Sequence, residues 1–363
     1  MAPGRGMVGG QIRSGRSARP LGASAARTSD DDVVVVGRGP VAAAVATAWG
    51  PGVRTVAELP ARRPQDALEG AGVVVLVTHE ADLAGASGKP GRESEATIVA
   101  HTQRVLAAAR AVGTRHVVAI GSAVVHGAWP DRPVIHDDDP LPRADEVPRD
   151  GLVGDLVAAE AVLERGRRRR APLVTVLRPA AVVGPGIDTF VTRHFEAPRL
   201  LTVRGAARQW QFVHVEDLAA AARFAVEERL SGVLTVGADD VLEPAEVEAA
   251  AGMRRIELAA ATAFGTAERL HRVGALPAPA SELAYVVYPW TVASDRLREA
   301  GWEPRWSSAA CLDVLLEGVQ GRLAVAGRRV ASRDVAALGA AGAAVAVIGT
   351  AAVWRQARSR KRP

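Results

Sequence analysis

The sequence predicts an α/β fold, a doubly wound parallel sheet, and three observations predict it. Short, continuous, β-branched apolar runs recur through the first half of the chain, at Val33 to Val36, Val73 to Val77, His116 to Ile120 and Leu173 to Leu177. Helical patterns fill the intervals, which is how strands buried on both faces of a parallel sheet read. The first run ends at a glycine turn that leads directly into an alanine-rich helical pattern.

That opening unit, Asp32 to Ala43, reads as strand, tight turn and helix. Gly37, Gly39 and Ala42 fit the spacing G-x-G-x-x-G/A, in which glycine permits the turn and lets backbone N–H groups approach a pyrophosphate at a helix N-terminus. Glu58 lies nineteen residues after Gly39, beyond the strand-like run Val53 to Val56, where a carboxylate can hold an adenosine ribose. These four residues are the candidate cofactor-binding set of a Rossmann-type site for NAD or NADP. Arg62 and Arg63, close behind Glu58, leave the choice between the two open. The plainer alternative is a glycine turn that binds nothing.

Further along come a Gly/Ser-rich loop from Gly85 to Gly91, a helical pattern from Thr97 to Val112, the His116 strand, a helix from Gly154 to Arg165, and the Leu173 strand. The arginine run Arg167 to Arg170 reads as a solvated turn, and no internal repeat of 20 to 50 residues is found.

Composition narrows the class. A chain of 363 residues with 48% hydrophobic content can bury a sizeable core, and a single cysteine, Cys311, excludes a disulfide framework and suits a reducing cytoplasm. The net charge of +5 sits at the ends: residues 1 to 29 hold five arginines and no acid, and residues 355 to 363 hold five more cations. Removing those ten from the 45 bases leaves 35 against 40 acids, so the body is net −5 and any nucleic-acid contact is confined to the tails. Residues 1–31 lack apolar periodicity and the apolar centre of a signal peptide, and are expected to be a disordered basic leader.

Four stretches in order resemble a family. Ile120-Gly121-Ser122-Ala123-Val124-Val125-His126-Gly127 is similar to the S-S-x-x-V-Y-G stretch of the extended short-chain dehydrogenase/reductases, the NAD-dependent epimerase/dehydratase group that includes UDP-galactose 4-epimerases. Thr175 to Gly186 is similar to its L-R-P-x-x-V-Y-G-P-G segment, Phe212 to Ala219 to its F-V-H-V-x-D-L-A, and Gly301-Trp302-Glu303-Pro304 to its G-W-x-P. The resemblance covers roughly residues 32 to 320. It implies a dinucleotide-binding Rossmann domain at 32–183, a smaller C-terminal substrate lobe at 184–325, with interleaving of the two left open, and a nucleotide-sugar or similar nucleotide-type ligand.

The family's chemistry uses a Ser/Thr, a tyrosine and a lysine, the last two spaced Y-x-x-x-K, with the lysine's charge lowering the tyrosine pKa so that a phenolate acts as base. Ser122 matches the serine, but the tyrosine and lysine positions fall on Leu152 and Leu156. No neighbouring frame rescues the pair, because the two tyrosines are Tyr285 and Tyr288 and the lysines are Lys89 and Lys361. On the family's G-x-x-G-x-x-G turn the chain keeps one glycine of three, offering Gly37, Pro40 and Ala43. The sixteen residues between Val56 and Val73 leave no room for the usual third strand and its helices, so the strand flanking the adenine is expected to be missing or reduced. The arginine that grips a diphosphate in the family falls on Trp210, with Arg208 two residues away as a substitute.

Other constellations are weaker. Ser122, His126 and Asp137 to Asp139 supply the residue types of a hydrolytic triad, yet Ser122 and His126 stand four apart on one strand and turn. His79-Glu80 and His136 with the aspartates lack metal-site spacing, so no metal is expected. Tyr285, Tyr288 and Trp290 read as packing beneath the small lobe. Two functional classes follow: a nucleotide-binding or regulatory protein that keeps the architecture without the tyrosine chemistry, or a nucleotide-sugar epimerase, dehydratase or reductase using Ser122 with His79, His126 or Asp155.

The chain closes with an Ala/Gly-rich apolar helix expected at 333–356 and a basic tail at 357–363. Val335 to Trp354 gives twenty uncharged residues, twelve of them Ala or Gly, long enough to cross a hydrocarbon layer about 30 Å thick. Membrane association through this segment is expected, with the Rossmann body in the cytoplasm.

Overall fold

The computed structural model describes residues 32–79, 91–143, 145–148, 151–169, 171–197, 199–206, 208–273 and 279–329. The expected leader, the Gly85 loop, Glu80 and the 335–354 segment lie outside the described residues.

The apolar runs become strands β1 (Asp32–Val36), β2 (Arg54–Val56), β3 (Ala71–Val77), β4 (His116–Ile120) and β5 (Leu173–Pro179). The second half of the chain adds β6 (Ala181–Val183), β7 (Leu200–Val203), β8 (Phe212–His214), β9 (Gly232–Val236) and β10 (Arg255–Leu258). Helices are α1 (Gly39–Trp49), α2 (Gly91–Ala111), α3 (Gly151–Arg167), α4 (Phe190–His194) and α5 (Val215–Glu227). They continue with α6 (Pro244–Ala251), α7 (Ala260–Arg272), α8 (Ala284–Val287), α9 (Asp295–Glu299) and α10 (Ser308–Arg329).

Six strands form one parallel sheet in the order β2-β1-β3-β4-β5-β9. Chain order reverses between β1 and β3, which makes the switch point where open α/β sheets bind ligands, beyond the carboxyl ends of the strands. β2 is the sheet edge, as the short Val56 to Val73 interval requires. β9 pairs with β5 from Thr175↔Gly232 to Pro179↔Val236, so a segment from beyond residue 184 completes the sheet begun by the first half of the chain.

Alternation along the strands explains the continuous apolar runs. Val33, Val35, Val73, Val75 and Val118 face α1 and α5, while Val34, Val36, Val74, Leu76 and Val117 face α2 and α3. Burying one such side chain contributes roughly 1.5–3 kcal/mol relative to exposure. α3 begins three residues before the expected Gly154 and takes in Arg167, which pairs with Glu164 at 2.7 Å; the arginine run therefore starts on the last helical turn rather than in a loop.

Two small parallel ribbons, β7 with β10 and β6 with β8, build the lobe beside the sheet. Two of the recognised motifs meet there. Asp217 at the start of α5 is 1% exposed, and its Oδ2 accepts from Arg305 N–H at 3.0 Å and Trp306 N–H at 2.9 Å, while the His214 ring stacks on Trp306 at 4.1 Å.

Candidate functional site

The crevice at the switch point has two sides. On the β1 side, Gly37 takes φ +142° and donates its N–H to Val56 O at 2.9 Å. A Cβ there would lie 2.7 Å from Val77 Cβ, so three strands converge at a turn that admits only glycine. Gly39, at φ 81°, opens α1; Pro40 follows without an N–H, and Gly39 and Val41 keep theirs. No side chain caps this helix and no acid stands in its first turn, so its positive end is left for an anion. Ala42 is 5% exposed and packs toward the sheet, the close helix–strand contact that the third position of the spacing requires. Glu58 is exposed on the loop after β2, its carboxylate 3.6 Å from the Arg104 guanidinium. The structure thus gathers Gly37, Gly39 and Ala42 at one turn and leaves Glu58 on the loop that begins beside it.

On the β4 and β5 side, Val41, His79, Ser122, Leu152, Phe190 and Trp290 line a cleft of about 40 Å³. Ser122 caps the short 3-10 turn Ala123–His126, its Oγ accepting from Val124 N–H at 3.4 Å. Leu152 and Leu156 come from α3. Leu152 is half-buried on the cleft wall, whereas Leu156 is 1% exposed in the core with Ala123, Val153 and Ala181. Phe190 and Thr189 of this wall carry no signal in the sequence; Trp290 does, through its aromatic cluster.

The relocated bases fare differently. His126 is fully buried and turned to Arg178, whose Nη1 lies 2.8 Å from its Nε2, not to Ser122. Burial, then the charges of Arg178 and Arg132, push its pKa down to about 3. Arg178 in turn holds Glu160 through several charge-assisted bonds, the shortest 2.6 Å, and both side chains are at most 7% exposed. The L-R-P arginine is therefore a core tie between α3 and β5. Asp137 is 4% exposed and accepts from Thr235 Oγ and Arg296 N–H, both at 2.8 Å, so it anchors β9 and α9 and leaves no triad. His136 pairs with Asp295 at 2.7 Å on the surface. Asp155 does not line the cleft; His79 does, and burial lowers its pKa to about 4, leaving a neutral imidazole beside Ser122. Among the described residues no three His, Cys, Asp or Glu side chains are placed to hold a metal ion.

In the lobe, Trp210 stands where the diphosphate-gripping arginine is expected, and Arg208 does not replace it across open solvent. Arg208 is 6% exposed, lies 3.5 Å over the Trp210 ring and donates to the carbonyls of Tyr285 and Tyr288. His194 beside it is 3% exposed, and neither ring nitrogen has a hydrogen-bond partner among the described residues. Both line a cavity of about 230 Å³ with Glu248, Arg255 and Glu257 at its wall. Tyr285, Tyr288 and Trp290 are 3–8% exposed, so the aromatic cluster is packing, although Trp290 also walls the cleft.

Comparison with known proteins agrees with this architecture. Residues 65–237 match the model of the NAD dependent epimerase/dehydratase family. The uncharacterised protein Rv0501 of Mycobacterium tuberculosis is 28% identical over 255 residues, 68% of this chain; the chain spans 66% of that relative's length, a little under two thirds. Among solved structures, MoeE5 in complex with UDP-glucose and NAD superposes with a TM-score of 0.58 at 20% identity, covering 80% of this chain and 99% of MoeE5. A UDP-galactose 4-epimerase superposes at 0.54 with 18% identity over the same shares. At these identities the likeness is one of fold.

Proposed function

The chain belongs to the NAD-dependent epimerase/dehydratase family of extended short-chain dehydrogenase/reductases, and from that premise we propose that it binds a nucleotide-type ligand at its glycine turn without the family's tyrosine chemistry. The observation that carries this is Leu156, which occupies the lysine position as a core residue 1% exposed, four residues after Leu152 at the tyrosine position. Without a cation no phenolate forms, and without a phenol there is nothing for a cation to activate. NAD and NADP are the dinucleotides to test: at about 100 times its dissociation constant, a bound one stabilises the fold by roughly 2.7 kcal/mol, read as a raised melting temperature. A flat response to both at millimolar concentration sinks the reading.

A second reading, an epimerase, dehydratase or reductase with relocated groups, draws on one observation, that Ser122 and His79 wall the same cleft. It makes His79 the base and requires nicotinamide-coupled turnover.

The proposal extends to the membrane. No helix among the described residues is long and apolar enough to cross one. Val335 to Trp354 lies beyond them, and its uncharged length with arginines on both flanks supports membrane contact, the body remaining cytoplasmic. Full-length protein then pellets with membranes through a high-salt wash, while a chain ending at Gly327 stays in solution; release of the full-length protein by salt alone rules out a span.

A further inference from the structure

A dinucleotide laid across a switch point places one half on each side of the reversal. The residues present fit those halves unequally. The β1 side offers a helix end with no side-chain cap, the first-turn N–H groups of Gly39 and Val41, and the exposed Arg38 at the N-cap. The β4 and β5 side offers a cleft of about 40 Å³, room for about one to three waters, against roughly 300–1,000 Å³ in ordinary ligand pockets. The fold is not tight everywhere, since a cavity of about 420 Å³ lies nearby under Trp129 and Tyr285.

Three independent features close this side. Leu152 puts an aliphatic side chain into the cleft where the family has its tyrosine, and Phe190 and Trp290 complete the wall. Two of the polar groups there are already engaged, since Ser122 Oγ accepts from Val124 N–H and Thr189 exchanges hydrogen bonds with Thr192 in a capping box, which leaves the His79 ring as the third polar group of the wall. Between the two sides, the loop after β6 comes down on the glycine turn. A Cβ on Gly186 would lie 3.5 Å from Pro40 Cβ, and Ile187 is 2% exposed in one core cluster with Val41 and Ala42.

We propose that this cleft excludes a nicotinamide ring, so that the crevice recognises a nucleotide by its adenosine diphosphate-ribose half alone. The proposal rests on the nucleotide-binding reading above and specifies its ligand: NAD binds with its ring outside and gains nothing over ADP-ribose. A carboxamide and its ribose entering the cleft would have to displace Leu152 and Phe190, both half-buried, with only Ser122 and His79 to receive their many polar atoms.

Titration calorimetry of the full chain with ADP-ribose and with NAD⁺ tests it, on the natural sequence and on Leu152→Ala and Phe190→Ala. We expect dissociation constants within threefold of each other for the natural protein, and at least a tenfold shift of the ratio toward NAD⁺ in one or both variants. NAD⁺ binding ten times tighter than ADP-ribose to the natural protein overturns the proposal, as does a ratio that neither variant moves. Binding of neither probe to any of the three proteins defeats the nucleotide-binding reading, and the exclusion falls with it; binding of both with a strong NAD⁺ preference defeats the exclusion alone.

Discussion

On the β1 side of the crevice the chain ends its strand in glycine and starts a helix with nothing capping it; on the β4 and β5 side the strands end beneath Leu152, Phe190 and Trp290. The two sides share one sheet and one set of β-branched strands, yet one has a polar opening and the other is walled by apolar side chains. On the proposed reading, leucines at the tyrosine and lysine positions are more than a chemical deletion. Leu156 sits in a hydrophobic cluster, and the neighbouring Arg178 bonds both Glu160 and His126, with Arg178 and Glu160 also at the wall of a cavity of about 500 Å³.

The comparison breaks most sharply if the filled side is not a core. Arg178→Met strands Glu160 as a buried, uncompensated carboxylate and is expected to destabilise the fold by about 3–5 kcal/mol in urea unfolding, with the double change Glu160→Leu and Arg178→Met recovering most of it. A loss below about 1 kcal/mol for the single change means that water reaches this side.

Acid probes buried rings both near this side and in the lobe. Burial lowers His116 to about 4 and His126 to about 3, and burial with the Arg208 charge lowers His194 to about 3, from ordinary values near 6.5. The folded state holds these rings neutral while the unfolded chain takes up protons, so stability is full above pH 6.5 and falls as pH drops toward 4. Each ring accounts for about 2 kcal/mol lost at pH 5. His126→Gln should remove about one proton from the slope of stability against pH between 6.5 and 4, and an unchanged slope places that ring in contact with solvent.

On the open side the expected effect is smaller. Gly37→Ala puts a Cβ 2.7 Å from Val77 at φ +142°, for about 1–3 kcal/mol of strain, and displaces the turn so that nucleotide-dependent stabilisation disappears. Retained stabilisation would locate the ligand elsewhere, with the lobe cavity at His194 and Arg208 the next place to look.

Much of this was legible in the residues. Runs such as Val73 to Val77 announced buried parallel strands because both faces of the sheet are covered, and the sixteen-residue interval after Val56 announced a missing or reduced strand beside the adenine, where β2 is now the edge. That leucines, Leu152 and Leu156, fall at the tyrosine and lysine positions is a reading by resemblance, and the proposed function depends on it. The filling of the cleft could not be read in the sequence, because Phe190 and Trp290 reach Ser122 from 68 and 168 residues away, and no local periodicity encodes that meeting. Asp137 looked like a member of an acidic run and proved to be a buried anchor, since hydrogen bonds to Thr235 and Arg296 depend on tertiary contacts alone. Arg208, read as a reserve grip for phosphate, is spent on two backbone carbonyls and the Trp210 ring.

The central claim is that the architecture persists while the tyrosine-based reaction does not, and turnover tests it most directly. Full-length protein with NAD⁺ or NADP⁺ and a UDP- or dTDP-hexose, followed by nicotinamide absorbance at neutral pH and by chromatography of the sugar nucleotides, should show no conversion above the protein-free rate. Sustained nicotinamide-coupled conversion by the natural sequence would contradict the account and make Ser122 and His79 the first residues to substitute.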